Sequence, residues 1–343
     1  MLFPENDEIF PEVYSAVIDD AHVIPGSTTI LTNSTMVFHD LFDPGRQLAP
    51  EEMNRLFEFE EGQRKALLKS SLEVHHELAE AAHFLDAAAQ NYAHWITEIL
   101  PRIVMFCKLE ANRNIPILVD EKLPATNLQS LALAVGPHRK VYVLSPLISV
   151  RVRKLHVISV AGYIPFGFRD TIDREALDGK YSPVALASVR ELAIESIMGE
   201  QVQKALPKKF FIRRKASSRR LLNQEQIEKI VVAEGFSVVC PEELTFLEQV
   251  LLFNDADAII GPTGAAFANI IFCNPSAKVT ILIAENPDTA YFYWPKLASV
   301  AALTVTYVLG RPEGPPSEGV HRDFTVPEET IASFLEEFCA NEQ

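Results

Sequence analysis

Four arginines surround a short serine-containing turn in the segment FFIRRKASSRRLLN, at Arg213, Arg214, Arg219 and Arg220. The segment follows an apolar run that predicts a β-strand, and open α/β sheets bind ligands at the carboxyl ends of their strands. Guanidinium groups bind phosphate through paired N–H hydrogen-bond donors and stay charged at neutral pH. The net charge of the chain is -15, so a basic cluster within it is informative. The cluster predicts an anion site; a solvated loop that pairs with nearby acids is the alternative.

A second candidate is the glycine turn GPTGAAF at residues 261–267, which joins an apolar strand to an apolar segment with helical character. The small residues Thr263, Gly264 and Ala265 allow backbone N–H groups to approach an anion closely. The turn is neither a Walker loop nor a full GxGxxG, and glycine turns before helices are common. Because it follows the arginines in one series of strands and helices, we expect the two to meet at neighbouring strand ends.

A third candidate is a polar stripe on the apolar segment NYAHWITEILPRI, where Asn91 is a good N-cap for a helix. His94, Glu98 and Arg102 fall at i, i+4 and i+8, which places them on one helix face. A histidine held by a carboxylate can act as a general base at neutral pH. Glu98 and Arg102 also have the order of an ordinary helix ion pair, and spacing does not decide between the two interpretations.

Other candidates have structural interpretations that we weight more highly. Glu248 could hold ribose hydroxyls, but with Thr245 it completes a capping box. The aromatic run YFYW at residues 291–294 could stack on a sugar, but such runs more often belong to a core. No HExxH is present, and the DAD at residues 255–257 precedes a buried strand rather than lying in a loop, so no metal site is predicted.

The length of 343 residues suits two α/β lobes. We predict a first lobe with a β-rich start over residues 1–185 and a second lobe over 186–325, whose alternating strands and helices indicate a parallel, Rossmann-like sheet. A long helix that ends at Pro207 links them, and the helix of residues 326–343 packs back on the first lobe. Within the second lobe, Asn223 and Gln226 predict a capping box, and GRPEGPPSEGVH predicts a flexible loop.

The acidic start MLFPENDEIFPEV lacks the pattern of a signal peptide, and no apolar stretch is long enough to span a membrane. The four cysteines are widely spaced, which is typical of reduced, buried thiols. We therefore expect a cytoplasmic protein. Peripheral membrane association and the oligomeric state stay open, and the negative charge together with the lack of any nucleic-acid motif argues against nucleic acid as a partner.

Four blocks, NYAHWITEILPRI, FFIRRKASSRRLLNQEQI, LTFLEQV and IIGPTGAAFANIIF, together resemble glycosyltransferase family 61 in their order along the chain. Bacterial members of this family are often labelled capsular polysaccharide biosynthesis proteins. The resemblance covers roughly residues 70–285. It implies a GT-B fold, with two Rossmann-like lobes facing across a cleft. It also implies an inverting, metal-independent hexosyl- or pentosyltransferase without a cofactor. Such an enzyme moves a sugar from a nucleotide-sugar, which we expect to be UDP-linked, to a glycan or polysaccharide acceptor.

The resemblance also implies roles for residues of this chain. His94 would face the cleft as the base, oriented by Glu98, and Arg213→Ala would abolish turnover. A protein that keeps the GT-B fold but only binds a nucleotide or glycan is the alternative. The residues implied to bind the nucleotide-sugar are Arg213, Arg214, Arg219, Arg220, Asn223, Glu248, Gln249, Thr263, Gly264, Ala265 and Asn269.

Overall fold

The computed structural model describes residues 10–38, 57–60, 65–68, 74–146, 148–164, 179–199, 205–287 and 289–340. The chain divides into two compact α/β units, Met1–Leu192 and Ala193–Gln343. This division and the predicted boundary at residue 185 both fall in the helix Pro183–Gly199. The predicted extension of this helix to Pro207 includes residues 200–204, which lie outside the described residues, as does the start of the chain up to residue 9.

The first unit is built on a seven-stranded mixed sheet with the order β3-β2-β1-β9-β6-β7-β8. Strands β9, β6, β7 and β8 run parallel, whereas β1 pairs with β9 and β2 in the antiparallel sense. The short antiparallel strands at the start of the chain agree with the predicted β-rich beginning. The strands are β1 (Ser15–Val23), β2 (Ile30–Leu31), β3 (Met36–Val37), β4 (Phe57–Glu60), β5 (Lys65–Leu68), β6 (Val74–His83), β7 (Ile117–Asp120), β8 (Val141–Leu144), β9 (Ser149–Ile158), β10 (Gly162–Tyr163) and β11 (Lys180–Tyr181).

The helices of the first unit pack beside this sheet. Strand β7 is buried at every residue, as expected for a parallel strand that is covered on both faces. One apolar core joins the inward faces of β1, β6, β7 and β9. The helices are α1 (Tyr92–His94), a π-helical segment (Trp95–Ile99), α2 (Leu100–Lys108), a 3₁₀ turn (Glu110–Asn112), α3 (Ala125–Val135) and α4 (Pro183–Gly199).

The second unit contains a six-stranded sheet with the order β13-β12-β14-β15-β16-β17. All neighbours are parallel except β17, which runs antiparallel to β16. The strands are β12 (Lys209–Ile212), β13 (Ser237–Val239), β14 (Ala258–Pro262), β15 (Lys278–Ala284), β16 (Val305–Glu313) and β17 (Asp323–Thr325). Its helices are α5 (Gln224–Ala233), α6 (Phe246–Asn254), α7 (Tyr293–Ala298) and α8 (Glu328–Ala340), with 3₁₀ helices at Pro241–Glu243, Ala265–Phe272, Ser299–Ala301 and Pro316–His321.

The strand order of the sheet in the second unit reverses between β12 and β14. The chain leaves β12 for its outer neighbour β13 and then returns past β12 to form β14. The first five strands therefore follow the doubly wound order 2-1-3-4-5, in which ligands bind where the order reverses. The predicted parallel sheet is confirmed, but two of its strands, β16 and β17, were not predicted. Strand β16 extends to Glu313, into the Pro/Gly segment predicted as a loop, and the 3₁₀ helix Pro316–His321 follows.

The C-terminal helix α8 packs within the second unit. Ile331 and Leu335, four residues apart on one helix face, lie in a buried core with Ile227 and Val231 of α5. This contact gives the helix a place in the core of the second unit, and its predicted packing on the first lobe stays a prediction. The apolar stripe of α5 needs a cover that sequence spacing alone does not identify. Within the described ranges, no helix has the length and apolar character needed to cross a membrane.

Candidate functional site

The arginine segment forms the loop that connects β12 to α5, at the carboxyl end of β12. The glycine turn begins at the carboxyl end of β14, the parallel neighbour of β12 across the point where the strand order reverses. The two segments are in direct contact, because Nη1 of Arg214 donates to the carbonyl oxygen of Thr263 at 2.7 Å. The expectation that they meet at neighbouring strand ends is confirmed.

Two of the four arginines are paired with carboxylates of the same unit. Arg213 makes a two-pronged contact with Glu228 on α5, with Nε 2.9 Å from Oε1 and Nη2 on Oε2. Nε and Nη2 of Arg220 donate to Oδ2 of Asp323 at 2.9 and 2.6 Å, and its backbone N–H donates to Oδ1. Hydrogen bonds to these carboxylates raise the pKa values of both arginines. Arg213 and Arg220 thus pair with nearby acids, as the alternative interpretation describes, and their contact with a nucleotide-sugar stays a prediction.

The other two arginines, Arg214 and Arg219, carry positive charge without a paired carboxylate. Both are half-buried, and no ion pair joins either to an acid in the part of the chain that the structure describes. Nη1 of Arg214 donates to two backbone carbonyl oxygens, those of Thr263 at 2.7 Å and of Arg219 at 2.9 Å. Nε of Arg219 is buried and has no hydrogen-bond partner among the described residues. These two guanidinium groups are therefore the cations that the loop leaves available to an anion.

Burial and mutual repulsion act against these charges. Burial, followed by the neighbouring charge of Arg219, lowers the pKa of Arg214 to about 10. Burial also lowers the pKa of Arg219. Placing two cations together in a half-buried position is unfavourable until an anion offsets them. The burial of two like charges therefore works against the stability of this loop.

The backbone at Arg219 is strained in the same place. Its φ angle is 54°, in the left-handed region that a non-glycine residue occupies at a cost of roughly 1–3 kcal/mol. A hydrogen bond from its N–H to the carbonyl oxygen of His321, at 3.2 Å, holds the peptide there. Strained residues of this kind concentrate where a ligand is bound, and this one carries the unpartnered guanidinium.

Gly264 provides space for Arg214. A Cβ atom at position 264 would lie 2.9 Å from Nε and 3.1 Å from Cδ of Arg214. The segment that follows was predicted as an α-helix, but the structure shows the 3₁₀ helix Ala265–Phe272. The first N–H groups of such a helix lack partners within it. They begin at the strand edge that also carries Arg214, so backbone donors and guanidinium groups converge there.

Four residues predicted to bind the nucleotide-sugar are engaged in internal contacts. Asn223 does not cap α5, so the predicted capping box with Gln226 is wrong. Its side chain instead exchanges two hydrogen bonds with the backbone of Val326, because that extended segment presents both an N–H and a carbonyl oxygen.

The other three lie on α6 and the 3₁₀ helix that follows β14. Glu248 completes the capping box with Thr245, as the preferred interpretation predicted. Gln249 accepts a hydrogen bond from Asn269 at 2.9 Å, and both side chains are buried. This pair joins α6 to the 3₁₀ helix and so positions the glycine turn.

The aromatic run is part of the interior. Tyr293 and Trp294 are buried, and the Trp294 ring packs 5.8 Å from Phe267. Nε1 of Trp294 donates to Oγ1 of Thr263 at 3.2 Å. The preferred core interpretation is correct for these two residues, and Trp294 supports the peptide on which Arg214 rests.

The first unit contains the predicted polar stripe. Asn91 caps α1 by accepting a hydrogen bond from the N–H of Ala93, as predicted. The helix then widens into the π-helical segment Trp95–Ile99, a feature that recurs at functional sites. Nδ1 of His94 lies 2.5 Å from Oε1 of Glu98, and both side chains are buried. The sequence thus correctly predicted a histidine held by a carboxylate.

Arg102 does not pair with the Glu98 carboxylate, so the helix ion-pair interpretation is wrong. Its Nε donates to the backbone carbonyl oxygen of Glu98 at 2.9 Å, and its Nη2 lies 3.3 Å from Oδ2 of Asp86. Asp86 follows β6 and was missed by the sequence analysis. Its backbone N–H donates to Asp120 at 2.7 Å, and burial raises the pKa of Asp120 to about 6.

The His94–Glu98 pair holds a proton in a buried position. Burial raises the pKa of the Glu98 carboxyl, although His94 opposes the shift. Burial acts to lower the pKa of His94, but the charge and hydrogen bond of Glu98 raise it. The pKa values of both groups are therefore raised, and a buried histidine–carboxylate pair of this kind can take part in proton transfer.

Glu98 lines a cavity of about 210 Å³ in the first unit, whereas His94 does not line it. The cavity lies at the carboxyl ends of the parallel strands β6 and β9 and beside the start of β1. Arg102, Asp86 and His83 also line it. The sequence-based prediction was that His94, oriented by Glu98, would be the residue that faces the cleft as the base. The position of Asp86 and His83 at the end of a predicted strand was the available signal for these two residues.

The family model described as Glycosyltransferase 61 matches residues 92–280, which is more than half of the chain. The chain belongs to glycosyltransferase family 61. No curated protein matches it. In this family 61 member the matched region includes His94, Glu98, the arginine loop and the glycine turn, and membership supports glycosyl transfer from a donor to an acceptor. Across the described residues, no group of three or more His, Cys, Asp or Glu side chains is arranged to hold a metal ion.

Proposed function

We propose that this family 61 chain is an inverting glycosyltransferase that moves a sugar from a UDP-linked donor to a hydroxyl of a glycan or polysaccharide. The observation that carries the proposal is the pair Arg214 and Arg219, two half-buried cations without carboxylate partners among the described residues, at the reversal point of a doubly wound sheet. Such a position is where nucleotide phosphates bind in sheets of this kind. The GT-B arrangement of the two units is part of the proposal.

The diphosphate of the donor occupies the edge formed by the arginine loop and the glycine turn. Arg214 and Arg219 contact its oxygens, and the first N–H groups of the 3₁₀ helix beyond Gly264 add backbone donors. When the bond between the anomeric carbon and the diphosphate oxygen breaks, its electron pair stays on that oxygen. Cations that are already in place stabilise this charge without reorganisation, which is the largest single contribution in many enzymes.

The acceptor hydroxyl attacks the anomeric carbon from the side opposite the leaving diphosphate, so the configuration inverts. Its proton passes to the His94–Glu98 pair. Because Glu98 lines the cavity and His94 does not, Glu98 is the group that contacts the hydroxyl. His94 holds the carboxylate through the 2.5 Å contact and supplies its counter-charge. His94 is therefore a positioning residue in this proposal, rather than the base that the sequence predicted.

Metal independence is also proposed, and its support is electrostatic. Many transferases neutralise the leaving diphosphate with a divalent cation, and here two arginines supply positive charge at the same step. Full turnover in the presence of excess EDTA is the expected result. Turnover that depends on added Mg²⁺ or Mn²⁺ would contradict this part of the proposal alone.

The experiment that tests the proposal is a donor screen. Thermal shifts of the full chain are measured with UDP-, GDP-, CMP- and dTDP-sugars, and each binder is then tested for transfer to a panel of glycan acceptors. We expect stabilisation by a UDP-sugar and a product whose new anomeric centre is inverted by NMR. Stabilisation by nucleotide without transfer or hydrolysis from any donor would favour a non-catalytic binding protein. Stabilisation by none of the four would contradict the proposal.

A further inference from the structure

The second half of the arginine loop is bound to residues 321–326, a segment that contains β17. Leu221 forms a parallel β-bridge with Phe324. The backbone N–H of Phe324 donates to the carbonyl oxygen of Arg220 at 2.9 Å, and the N–H of Leu222 donates to the carbonyl oxygen of Phe324 at 2.8 Å. The loop therefore starts at β12 and reaches across to the last strand of the sheet.

Both ends of this contact are held by further hydrogen bonds. The N–H of Arg219 donates to the carbonyl oxygen of His321, and the side chain of Asn223 exchanges two hydrogen bonds with the backbone of Val326. The attachment therefore begins at Arg219, one of the two cations assigned to the donor diphosphate, and continues to the start of α5.

The carboxylate of Asp323 lies at the centre of this attachment. Its Oδ1 accepts the backbone N–H of Arg220 at 2.8 Å, and its Oδ2 accepts the side chain of the same residue. That N–H belongs to the peptide whose carbonyl oxygen, on Arg219, accepts Nη1 of Arg214 at 2.9 Å. The N–H and the carbonyl oxygen of a trans peptide point in opposite directions, so Asp323 and Arg214 hold this peptide from its two sides.

Residues 321–326 can support the loop because they are themselves fixed in the core of the second unit. Phe324 and Val326 are fully buried in the core that contains α8. Gly310 on β16 leaves space for them, since a Cβ atom there would lie 2.6 Å from Cδ2 of Phe324 and 2.7 Å from the carbonyl oxygen of Thr325. A segment packed in this way moves only if its close-packed neighbours move with it.

We propose that residues 321–326 set the affinity of the chain for its nucleotide donor, with Asp323 as the positioning residue. Asp323 keeps Arg214 and Arg219 in their binding arrangement through the peptide that it holds, without contacting the diphosphate itself. This inference rests on the proposed donor site. It adds a support that lies beyond residue 280, where the match to the family model ends, so family membership assigns these residues no role.

Electrostatics alone gives Asp323 the opposite effect on an anion. A carboxylate close to the diphosphate repels it, so removal of the charge by itself tightens binding. The charge does act on a donor cation, because burial lowers the pKa of Arg214 and Asp323 is among the acids that oppose this shift. The positioning effect and the charge effect therefore differ in sign, and a measured affinity distinguishes them.

The test compares the UDP affinity of the full chain, by calorimetric titration, in Asp323→Asn and Asp323→Ala. Both variants lose the negative charge, but only asparagine keeps an oxygen that can accept the backbone N–H of Arg220. We expect Asp323→Asn to stay within about threefold of the wild type and Asp323→Ala to bind UDP about tenfold more weakly. Equal affinities in the two variants, or tighter binding by Asp323→Ala than by the wild type, overturn the inference.

Two further variants control this comparison. Glu318→Ala removes an exposed carboxylate from the adjoining 3₁₀ helix Pro316–His321 and should not weaken UDP binding; a loss as large as that of Asp323→Ala would overturn the inference. Gly310→Ala disturbs the same segment from β16 without a change in charge, and it should bind UDP several-fold more weakly than Gly199→Ala, where a Cβ meets nothing within 4 Å. If Asp323→Ala does not fold, wild-type affinity in Gly310→Ala overturns the inference.

Hydrogen exchange without nucleotide separates this inference from the proposed function. Peptides that cover residues 213–223 should exchange faster in Asp323→Ala than in Asp323→Asn, and equal exchange would overturn the inference. UDP binding and transfer that are the same in both variants would leave the transferase proposal intact and remove only the role of Asp323. Faster exchange in a chain whose wild type binds no UDP would show that Asp323 supports the loop, and would remove the donor site together with the effect on its affinity.

Discussion

The guanidinium of Arg214 lies across Gly264, so closely that a Cβ atom at position 264 would come within 2.9 Å of its Nε. The same guanidinium is anchored by hydrogen bonds to the carbonyl oxygens of Thr263 and Arg219. The arginine cannot move away from a new methyl group without losing these contacts. Gly264 therefore fixes the position of one of the two cations assigned to the donor diphosphate.

Gly264→Ala should weaken donor binding without unfolding the protein. Displacement of Arg214 is expected to raise the KM for the donor by about tenfold, equivalent to roughly 1.4 kcal/mol, with a smaller effect on the acceptor. Steady-state kinetics with both substrates measures this. Gly199→Ala is the matched control, because a Cβ there meets nothing within 4 Å. An unchanged donor KM in Gly264→Ala would contradict the assigned position of Arg214.

Arg213→Gln should act on stability more than on turnover, contrary to the sequence-based prediction that loss of Arg213 abolishes turnover. The substitution leaves Glu228, whose side chain is 9% exposed, without its cation. The free energy of unfolding should fall by about 1–2 kcal/mol, a range reduced because Arg213 itself is half exposed. Urea denaturation measures this fall.

Turnover of Arg213→Gln should stay within a few-fold of the wild type at a temperature where the variant is folded. Glu228→Gln is the partner control, and it should cause a similar loss of stability. If the folded Arg213→Gln protein lacks turnover, Arg213 contributes to donor binding or catalysis, and the prediction is contradicted.

Glu98→Gln should slow the chemical step and spare donor binding. Removal of a general base typically costs about 10²–10⁴-fold in kcat, and the affinity for UDP should not change because Glu98 contacts the acceptor. Glu98→Asp keeps a carboxylate and should retain more activity than Glu98→Gln.

The pH profile provides a second readout for the same base. Since burial raises the pKa of Glu98, kcat of the wild type should fall on acidification at a pH above the ordinary carboxyl range. A fall in kcat only at the pH where an exposed carboxyl titrates would exclude Glu98 as the base. A wild-type kcat in Glu98→Gln would exclude it as well.

His83 should make the protein sensitive to acid. Its pKa is lowered from 6.5 to about 3 in the folded chain, so only the unfolded chain binds a proton between these values. Stability contributed by the neutral ring is present above pH 6.5 and is lost as the pH falls towards 3. At pH 5 the loss amounts to about 2 kcal/mol.

His83→Phe lacks this titration. Relative to the wild type, its free energy of unfolding should therefore improve by about 2 kcal/mol between pH 7.5 and pH 5, as measured by urea denaturation at both values. A difference between the two proteins that does not depend on pH would show that His83 is not buried as a neutral ring.

The sequence predicted the features of the site that follow from the order of strands and helices along the chain. It did not predict the side-chain pairs that form between residues far apart in the sequence. Alternating strands and helices located the arginine loop and the glycine turn at neighbouring strand ends, because connectivity in a parallel sheet dictates this. Two of the four arginines differ from the others because they have carboxylate partners. Glu228 lies 15 residues from Arg213, and Asp323 lies 103 residues from Arg220. No local pattern identifies such partners.

The same distinction applies to the first unit. The i, i+4 spacing predicted the contact between His94 and Glu98 correctly, because both lie on one helix. It also favoured a contact between Glu98 and Arg102 that does not form. The π-helical segment changes the helical register between these residues. Arg102 pairs instead with Asp86, which lies sixteen residues away along the chain.

The central claim, that Arg214 and Arg219 hold the donor diphosphate while Arg213 and Arg220 organise the loop, is tested most directly by calorimetric titration of UDP into Arg219→Gln and Arg220→Gln. Both variants lose one positive charge from the same loop, so long-range electrostatic effects are matched. Arg219→Gln should weaken UDP binding by about tenfold to a hundredfold, and Arg220→Gln by no more than about threefold. Equal losses in the two variants, or a larger loss in Arg220→Gln, would contradict the claim.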